Sequence, residues 1–590
     1  MLPNFPVNIL IRNLKFLCNT NGLLKFLFYT VGTWIVKASF IFLSASIIFQ
    51  KLFLLQNNIL IILSLLFVVM MLVLLAQRLK IAYPIFLVVA GLGISFIPGI
   101  PHIGLDPEII FLIFLPPLLY EAAWYTSWKD FWHWKRSISL YAFGLVFVTS
   151  VCVAYASAAI IPRFTLALGF LLGGIVSPPD AVAASTVLKS IKVPRRILAI
   201  LEGESLVNDA SSLIVFRFAL AAVLTGTFSM QAAVGNFFLA AGMGLATGLA
   251  IGYVMYVIHK FLPTTAAMDA ALTLMSPYVI YLTAEHFHFS GVIAVVSGGL
   301  FISYRSHEIF ITGETRLNMM GVWRTLIFIM NAVVFVLIGL ELPNVINGLG
   351  DHSVGEALRY GLVISAVTIV VRFMWVFPST HLPRLNKKIR TNEPDPGWKF
   401  PLVVGWAGMR GVVSLATALS IPVLMTNNTQ FPFRSLIIFI TFVVIFVTLV
   451  LQGLTLPLII KLINIKEIDG ELPAEQQQAS LKLELDKVAL KILEEKYAQE
   501  TVSNELLGLY KDHLLNDVNA TKQRLECLEC GDTKRHEIDL YNRVLNEIYI
   551  KQRNELSVLR KHKSYSDEEI RRMDMQIDLE ELKISGGHTH

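Results

Sequence analysis

The chain has 590 residues, of which 55% are hydrophobic and 16% are charged, well below the roughly 25% charged residues typical of soluble domains. This composition excludes an ordinary soluble protein and predicts a membrane protein. The formal net charge of +6 does not indicate nucleic-acid binding, because the basic residues lie in short loops between apolar stretches, where insertion topology explains them.

The composition also divides the chain into regions. We expect a short cytoplasmic segment over residues 1–32, a candidate extra transmembrane helix over 33–57, a membrane domain over 58–462 and a cytoplasmic helical tail over 463–590. Apolar stretches about 20 residues long predict thirteen or fourteen transmembrane helices in an all-α polytopic fold. The predicted spans are 33–55, 58–78, 80–98, 109–127, 138–161, 166–190, 197–224, 231–258, 267–285, 289–304, 321–342, 356–378, 400–423 and 434–462.

Charge in the connecting loops supports this topology. Lys and Arg are concentrated in alternate loops, and the positive-inside rule places those loops on the cytoplasmic side together with both ends of the chain. The residues concerned are Arg78, Lys80, Lys129, Lys135, Arg136, Lys189, Lys192, Arg195, Arg196, Lys260, Arg305, Arg316, Arg324, Arg384, Lys387, Lys388 and Arg390. We therefore expect a multi-pass protein of the cell membrane.

The span at 166–190 contains a helix break. Its sequence GFLLGGIVSPPDAVAASTVLKS places Pro178 and Pro179 directly before Asp180. Two successive prolines remove backbone donors and clash with the preceding turn, so the helix should be interrupted near membrane depth. Freed backbone groups are tolerated there only within protein or against water. Asp180 is then either a cap for the resuming helix or an ion ligand.

The span at 197–224 begins with LEGESLVNDASS and carries three acidic residues within eight positions. On a helix, Ser205, Asn208, Asp209 and Ser212 share one face, and Glu204 lies near its edge. A charge in mid-membrane costs roughly 3 to more than 10 kcal/mol, so it usually faces a partner or a water-filled cavity. Packing by small polar residues is the alternative, but the carboxylates favour a functional site.

The span at 400–423 holds a third irregularity, PLVVGWAGMRGVVSLATALSIPV, in which glycines surround Arg410. Glycine weakens the helix there, and the permanently charged guanidinium requires a carboxylate. Broken helices at corresponding places in two halves of a membrane protein indicate a midplane site formed by inverted repeats. Spans two to seven and nine to fourteen would form two such six-helix repeats.

Three of these segments, SPPDAVA, GESLVNDASSLIVF and GMRGVVSLA, resemble the monovalent cation:proton antiporter family in its sodium/proton exchanger branch, the NhaP-like proteins. The resemblance covers residues 58–462. It implies a homodimer, crossed broken helices, and a scaffold with a mobile core that works by elevator-like alternating access. It also implies a transporter rather than an enzyme, with no cofactor besides the transported Na+ and H+.

The resemblance further assigns roles to individual residues. Asp209 would be the main ion- and proton-binding carboxylate, with Asn208 and Ser205 beside it. Asp180 would take part at the helix break, directly or through water. Asp209, Asp180 and Ser205 would be the ligands of the transported Na+. Glu121, in PPLLYEAAW, resembles an acidic position that some relatives place in the cation site.

Other charged residues of the membrane domain are expected to be structural. The resemblance implies that Glu204 pairs with Arg410 to support the helix crossing. Arg372 has a long stem that could carry its charge to the cytoplasmic interface. Glu285 and Glu341 are interpreted as helix-packing or access-lining residues.

The predicted function is exchange of Na+ or Li+ for H+. Burial disfavours the charged form of a carboxylic acid and a nearby cation restores it, so proton and sodium would compete for one group. The Asn208-Asp209 pair resembles the electroneutral branch. A K+/H+ antiporter of the same fold, a cation channel and an intramembrane aspartyl protease using Asp180 and Asp209 are the alternatives. The tail is either regulatory, dimer-stabilising or a solvated helical hairpin without a signalling role.

Overall fold

The computed structural model describes residues 60–97, 107–189, 191, 193–226, 230–350, 353–392, 395–425, 429–463, 465, 474–529, 535–560 and 566–585. The predicted N-terminal segment at 1–32 and the candidate span at 33–55 lie outside these ranges. Within them the chain is helical, apart from loops and one isolated β-bridge between Leu424 and Gln430. The all-α prediction is confirmed.

The helices of the membrane domain are numbered here in chain order. They are α1 (Leu60–Leu79), α2 (Tyr83–Ser95), α3 (Pro107–Tyr125), α4 (Trp128–His133), α5 (Lys135–Ile160), α6 (Leu166–Val176), α7 (Ala181–Lys189), α8 (Arg195–Thr225), α9 (Met230–Phe261), α10 (Ala266–His286), α11 (Gly291–Ile309), α12 (Gly313–Leu340), α13 (Leu342–Asn347), α14 (Val354–His381), α15 (Lys387–Asn392), α16 (Lys399–Trp406), α17 (Val412–Leu419) and α18 (Arg434–Ile463). The tail adds α19 (Ala474–Glu495), α20 (Ala498–Ser503), α21 (Glu505–Glu529), α22 (Arg535–Leu559) and α23 (Asp567–Ser585).

Among the described residues, eight helical segments are long and apolar enough to cross a membrane. They correspond to α1, α5, the α6–α7 pair, α8, α9, α12 with α13, α14 and α18. The other spans predicted after residue 58 coincide with α2, α3, α10, α11 and the α16–α17 pair. The protein is therefore a polytopic membrane protein, as predicted. The inverted relation between its two halves stays a prediction.

A π-helical turn within α5 provides backbone carbonyls that bind side chains of α8 and α14. The turn, at Leu140–Leu145, shifts the hydrogen-bond register and leaves carbonyls free for other partners. The carbonyl of Leu140 accepts the indole N–H of Trp375 on α14 at 2.9 Å, and the carbonyl of Ala142 accepts the hydroxyl of Ser211 on α8 at 2.5 Å. Helix α8 is thus held in register beside α5 and α14.

Two hydrophobic cores divide the membrane domain. The first packs α5, α6, α8, α14 and the α16–α18 region together with α1 and α2. The second packs α3, α9, α10, α11 and the first half of α12, together with Ala210 of α8. Within α12, Ile327 belongs to the second core and Ala332 to the first. The boundary between the two cores therefore crosses α12 near mid-helix.

The tail is helical, as predicted. Helices α19 and α21 form a hairpin in which Leu483, Leu514 and Val518 are buried, because their apolar faces pack against each other. A hydrogen bond joins the tail to the membrane domain: Arg195, at the start of α8, donates to Gln477 on α19 at 3.0 Å.

Candidate ion-binding site

The two broken helices meet at their breaks. The first break lies at 177–180, between α6 and α7, and the second at 407–411, between α16 and α17. The backbone N–H of Asp180 donates to the carbonyl of Met409 at 2.7 Å, which joins the two breaks directly. The prolines before Asp180 and the glycines around Arg410 explain why each helix is interrupted here. The two breaks inferred from the sequence therefore lie together, as the resemblance implies.

Opposite charges lie at opposite helix ends in this crossing. The Asp180 carboxylate accepts the N–H of Val182 in the first turn of α7 at 2.8 Å and also contacts the start of α17 at Gly411 and Val412. The Arg410 guanidinium donates to the carbonyl of Val176, the last residue of α6, at 3.0 Å. Helix N-termini favour anions and C-termini favour cations. Inside the membrane domain, Asp180 thus lies at the N-termini of α7 and α17, and Arg410 lies at the C-terminus of α6.

The close approach of Asp180 requires a glycine at position 411. A Cβ added there would lie 1.7 Å from Oδ2 of Asp180, so the carboxylate must move if alanine is introduced. We expect Gly411→Ala to lower the cation/proton exchange that the resemblance implies roughly tenfold to hundredfold through this displacement. Proton-flux assays on reconstituted protein measure the effect. Gly313→Ala is the matched control, since a Cβ at that glycine meets nothing within 4 Å, and an equal loss in both variants would contradict the expectation.

Helix α8 is fastened to the first break by two polar side chains. The Asn208 amide donates to the carbonyl of Pro179 at 3.0 Å, and the Ser205 hydroxyl accepts the N–H of Ala181 at 3.2 Å. Both bonds satisfy backbone groups that the prolines leave without helical partners. These contacts bring Asp209, the next residue on α8, to the crossing.

Asp209 faces a cavity of about 60 Å³ at the crossing. Its side chain is almost fully buried, with 7% of the residue exposed, and it accepts no hydrogen bond from the residues that the structure describes. Asp180 is close enough to interact with it electrostatically. The polar residues that line the cavity are Asp180, Ser205, Asp209, Asn331 and Ser414. A buried acid without a protein donor can bind either a proton or a cation in such a cavity.

Glu121 lies elsewhere. It lines a second cavity, of about 220 Å³, whose walls are largely aromatic and include Trp124, Tyr125 and Trp323. Helix α3 contributes to both cavities, but only its apolar residues, such as Leu118, reach the one that contains Asp209. The structure therefore brings Asp209, Asp180, Ser205 and Asn208 together and leaves Glu121 apart from them.

The predicted pair of Glu204 and Arg410 is wrong, because the partner of Glu204 is Arg372. The Arg372 guanidinium binds both carboxylate oxygens of Glu204, at 2.7 and 2.9 Å, and its Nε donates to the carbonyl of Val404 on α16 at 3.2 Å. Arg372 is completely buried, so its predicted location at the interface is also wrong. It comes from α14, which packs against α16. The Arg410 guanidinium instead donates to the backbone carbonyls of Val176 and Gly408.

The other predicted structural acids have basic neighbours. Glu285 on α10 accepts two hydrogen bonds from Arg217 on α8, at 2.8 and 3.0 Å, and the N–H of Gly291 at 3.1 Å. Glu341 interacts electrostatically with Arg434. The Glu285 contacts fit the helix-packing interpretation.

Sequence reasoning missed Asn331 and Ser414, which line the same cavity as Asp209. Ser414 lies four residues after Arg410 in the segment GMRGVVSLA, and it is an uncharged side chain in an apolar stretch. Asn331 interrupts the apolar run LIFIMNAVVFVLIGL of α12. A lone amide in such a run is the signal that could have identified it, since polar groups in a membrane helix usually face protein or water.

A helical membrane protein with two broken helices crossing beside a buried carboxylate has the construction of a secondary transporter. The chain belongs to the sodium/hydrogen exchanger family, whose transmembrane model matches residues 62–462. Family members are transporters and not enzymes, which agrees with the prediction.

Two relatives support this membership, and a solved structure shares the fold. The chain is 34% identical over 445 residues to the sodium, potassium, lithium and rubidium/H+ antiporter of Bacillus pumilus, a match that covers 73% of this chain and 66% of that protein. It is 30% identical over 526 residues to a protein of Mycobacterium bovis named as an uncharacterized Na+/H+ exchanger, covering 86% and 93% of the two chains. The sodium proton antiporter MjNhaP1 from Methanocaldococcus jannaschii shares the fold, with a TM-score of 0.53, 17% identity and coverage of 66% of this chain and 97% of that one.

Proposed function

We propose that the protein exchanges a monovalent cation, Na+ or Li+, for H+ at Asp209. The observation that carries this proposal is the Asp209 carboxylate itself, which is buried, faces a cavity and accepts no hydrogen bond from the described part of the chain. A carboxylate in that setting is strongly destabilised unless it is protonated or beside a cation. The two occupants therefore exclude each other.

Because H+ and the cation exclude each other at Asp209, the transport of one is coupled to the transport of the other. With H+ or a cation bound, the site is neutral; empty, it carries a buried negative charge that is costly to move across a low-dielectric region. Only loaded states then change sides, and net transport is exchange without ATP. Asn208 next to Asp209 supports a stoichiometry of one proton for one cation, because its side chain contributes an amide where a second carboxylate would add a charge.

The ligand set that we propose for the transported cation is Asp209, Ser205 and Asp180. Asp180 contributes directly or through water, since its Oδ1 already accepts the N–H of Val182. Asn208 holds the break in place through Pro179. We assign Glu121 to the approach path rather than to the ligand set, because it lines the neighbouring cavity.

The same site could take a different monovalent cation, which gives a second candidate function. The Bacillus pumilus relative is named for sodium, potassium, lithium and rubidium, which supports K+/H+ exchange as the alternative function on the same site. A flexible oxygen cage distinguishes these ions by fractions of an ångström, so the order has to be measured.

The division of the membrane domain into two hydrophobic cores supports an elevator-like mechanism, in which the crossing and α8 move against the scaffold. We further propose that the protein is a homodimer in the cell membrane, with its tail in the cytoplasm. The distribution of Lys and Arg among the loops supports that orientation.

The experiment that tests this function is proton flux in proteoliposomes. Purified protein is reconstituted with a pH-sensitive dye inside, and Na+, Li+, K+, Rb+ or the inert cation choline is added outside. We expect saturable proton efflux with Na+ and Li+ and none with choline. An electroneutral exchanger gives the same rate whether the membrane potential is clamped at zero or left free.

Each alternative gives a different result. Unitary currents in planar bilayers would identify a channel, and equal saturation with K+ would favour the K+/H+ antiporter. A rate that changes with the clamped potential would contradict the one-to-one stoichiometry. Absence of cation-dependent proton flux with all four metals would refute the proposed function.

A further inference from the structure

The cavity beside Asp209 contains a hydroxyl that has no hydrogen-bond partner in the described part of the chain. Ser414 lies on α17, is 1% exposed, and its Oγ makes no hydrogen bond among the described residues. Serine hydroxyls in membrane helices usually bond to a carbonyl one turn earlier, as Thr417 does with Val413 at 2.6 Å on the same helix. Ser414 does not, although it lines the cavity. A buried hydroxyl left without a partner is costly unless something else occupies that position.

A second side chain in the cavity has the same character. Asn331, on α12, is 5% exposed and has no side-chain hydrogen bond to any residue in the described ranges, and it lines the cavity together with Asp209. An amide offers a carbonyl oxygen as a ligand. Ser205 and Asn208 satisfy backbone groups of the break, whereas the amide of Asn331 makes no such hydrogen bond within the described ranges.

A dehydrated monovalent cation needs several oxygens but little negative charge. Alkali and alkaline-earth ions are bound by carboxylate, carbonyl and hydroxyl oxygens. Asp209 balances the positive charge of the cation, and the charge of Asp180 is already offset by the N-termini of α7 and α17, so additional ligands should be neutral. The amide of Asn331 and the hydroxyl of Ser414 are neutral oxygens in the cavity that holds that carboxylate.

We infer that Asn331 and Ser414 complete the coordination of the transported cation opposite Asp209 and determine which cation is preferred. This inference rests on the proposed exchange function. Asn331 lies where α12 passes from the second hydrophobic core to the first, between Ile327 and Ala332. A cation held by Asn331 and Asp209 therefore contacts both cores at once.

The test uses two variants that remove one oxygen each. Asn331→Leu keeps the shape of the side chain, and Ser414→Ala removes a single atom. Because each removes one ligand from a charged ion, the apparent KM for Na+ should rise about threefold to thirtyfold, with a smaller change in the maximal rate at saturating cation. The order of preference among Li+, Na+ and K+ should also change. Ser414→Thr, which retains the hydroxyl, should restore the wild-type KM.

Thr325→Val is the matched control, since the hydroxyl of this exposed residue of α12 donates to the carbonyl of Gly321 in its own helix. It should leave both KM and selectivity unchanged. The wild type is measured first: if it shows no cation-dependent proton flux, the proposed function fails.

If the wild type exchanges cations and both variants keep its KM and selectivity, the ligand assignment alone is overturned. If only one of the two variants changes the KM or the selectivity, that residue is retained as a ligand and the other is removed from the proposed ligand set. Ser414→Ala tests the inference even where Asn331→Leu does not fold.

Discussion

Asp209→Asn is expected to abolish cation-dependent proton flux and to leave a folded protein. The amide has the shape of the carboxylic acid, so packing around the cavity is preserved, but it can neither release a proton nor balance a cation. The loss should be complete within detection, at least about a thousandfold, because no other carboxylate in the cavity is free of a helix end. Proton flux in proteoliposomes measures the loss of exchange, and the elution profile of the purified variant shows whether it is folded.

Asp269→Asn is the matched control for this substitution. Asp269 is also a buried aspartate of a membrane helix, 6% exposed, but it bonds His259 at 2.8 Å and does not line the Asp209 cavity. It should retain exchange. Flux at the wild-type level from the Asp209 variant would show that the exchanging group lies elsewhere in the chain.

The local features of the site could be predicted from the sequence. Prolines at 178 and 179 and glycines around Arg410 fix the two breaks, because their effect on a helix depends on the residue and its immediate neighbours. Ser205, Asn208 and Asp209 share a helical face for the same reason. Once the breaks cross, these short segments necessarily meet, so most of the predicted site came together.

The long-range pairings could not be predicted in this way. Glu204 and Arg372 are 168 positions apart, and nothing in either segment favours that partner over Arg410. The choice depends on how α14 packs against α8 and α16, which is a tertiary property. Asn331 and Ser414 were missed for a related reason: neutral side chains in apolar runs acquire a role only from what the fold places opposite them.

Three charged residues, Glu204, Arg372 and Arg410, are buried behind the crossing, and we expect Glu204→Gln and Arg372→Met to destabilise the fold to different extents. Glu204 is the carboxylate for Arg372 and also stabilises Arg410 electrostatically. Glu204→Gln therefore removes the negative charge that stabilises two buried guanidinium groups. Arg372→Met instead leaves Glu204 near Arg410, whose Nη2 has no hydrogen-bond partner within the described ranges. Breaking a buried pair costs about 3–5 kcal/mol, and we expect Glu204→Gln to be the more destabilising of the two.

Thermal midpoints of the detergent-solubilised variants, read from the surviving dimer or monomer peak after heating, measure this order. The exposed Arg217–Glu285 pair provides the comparison, with side chains 50% and 29% exposed, because ion pairs that reach solvent contribute little to stability. Arg217→Gln should thus lower the midpoint much less than either core variant. A larger loss from Arg372→Met than from Glu204→Gln would mean that Glu204 does not compensate Arg410, and that the guanidinium of Arg410 is stabilised by the helix-end carbonyls alone.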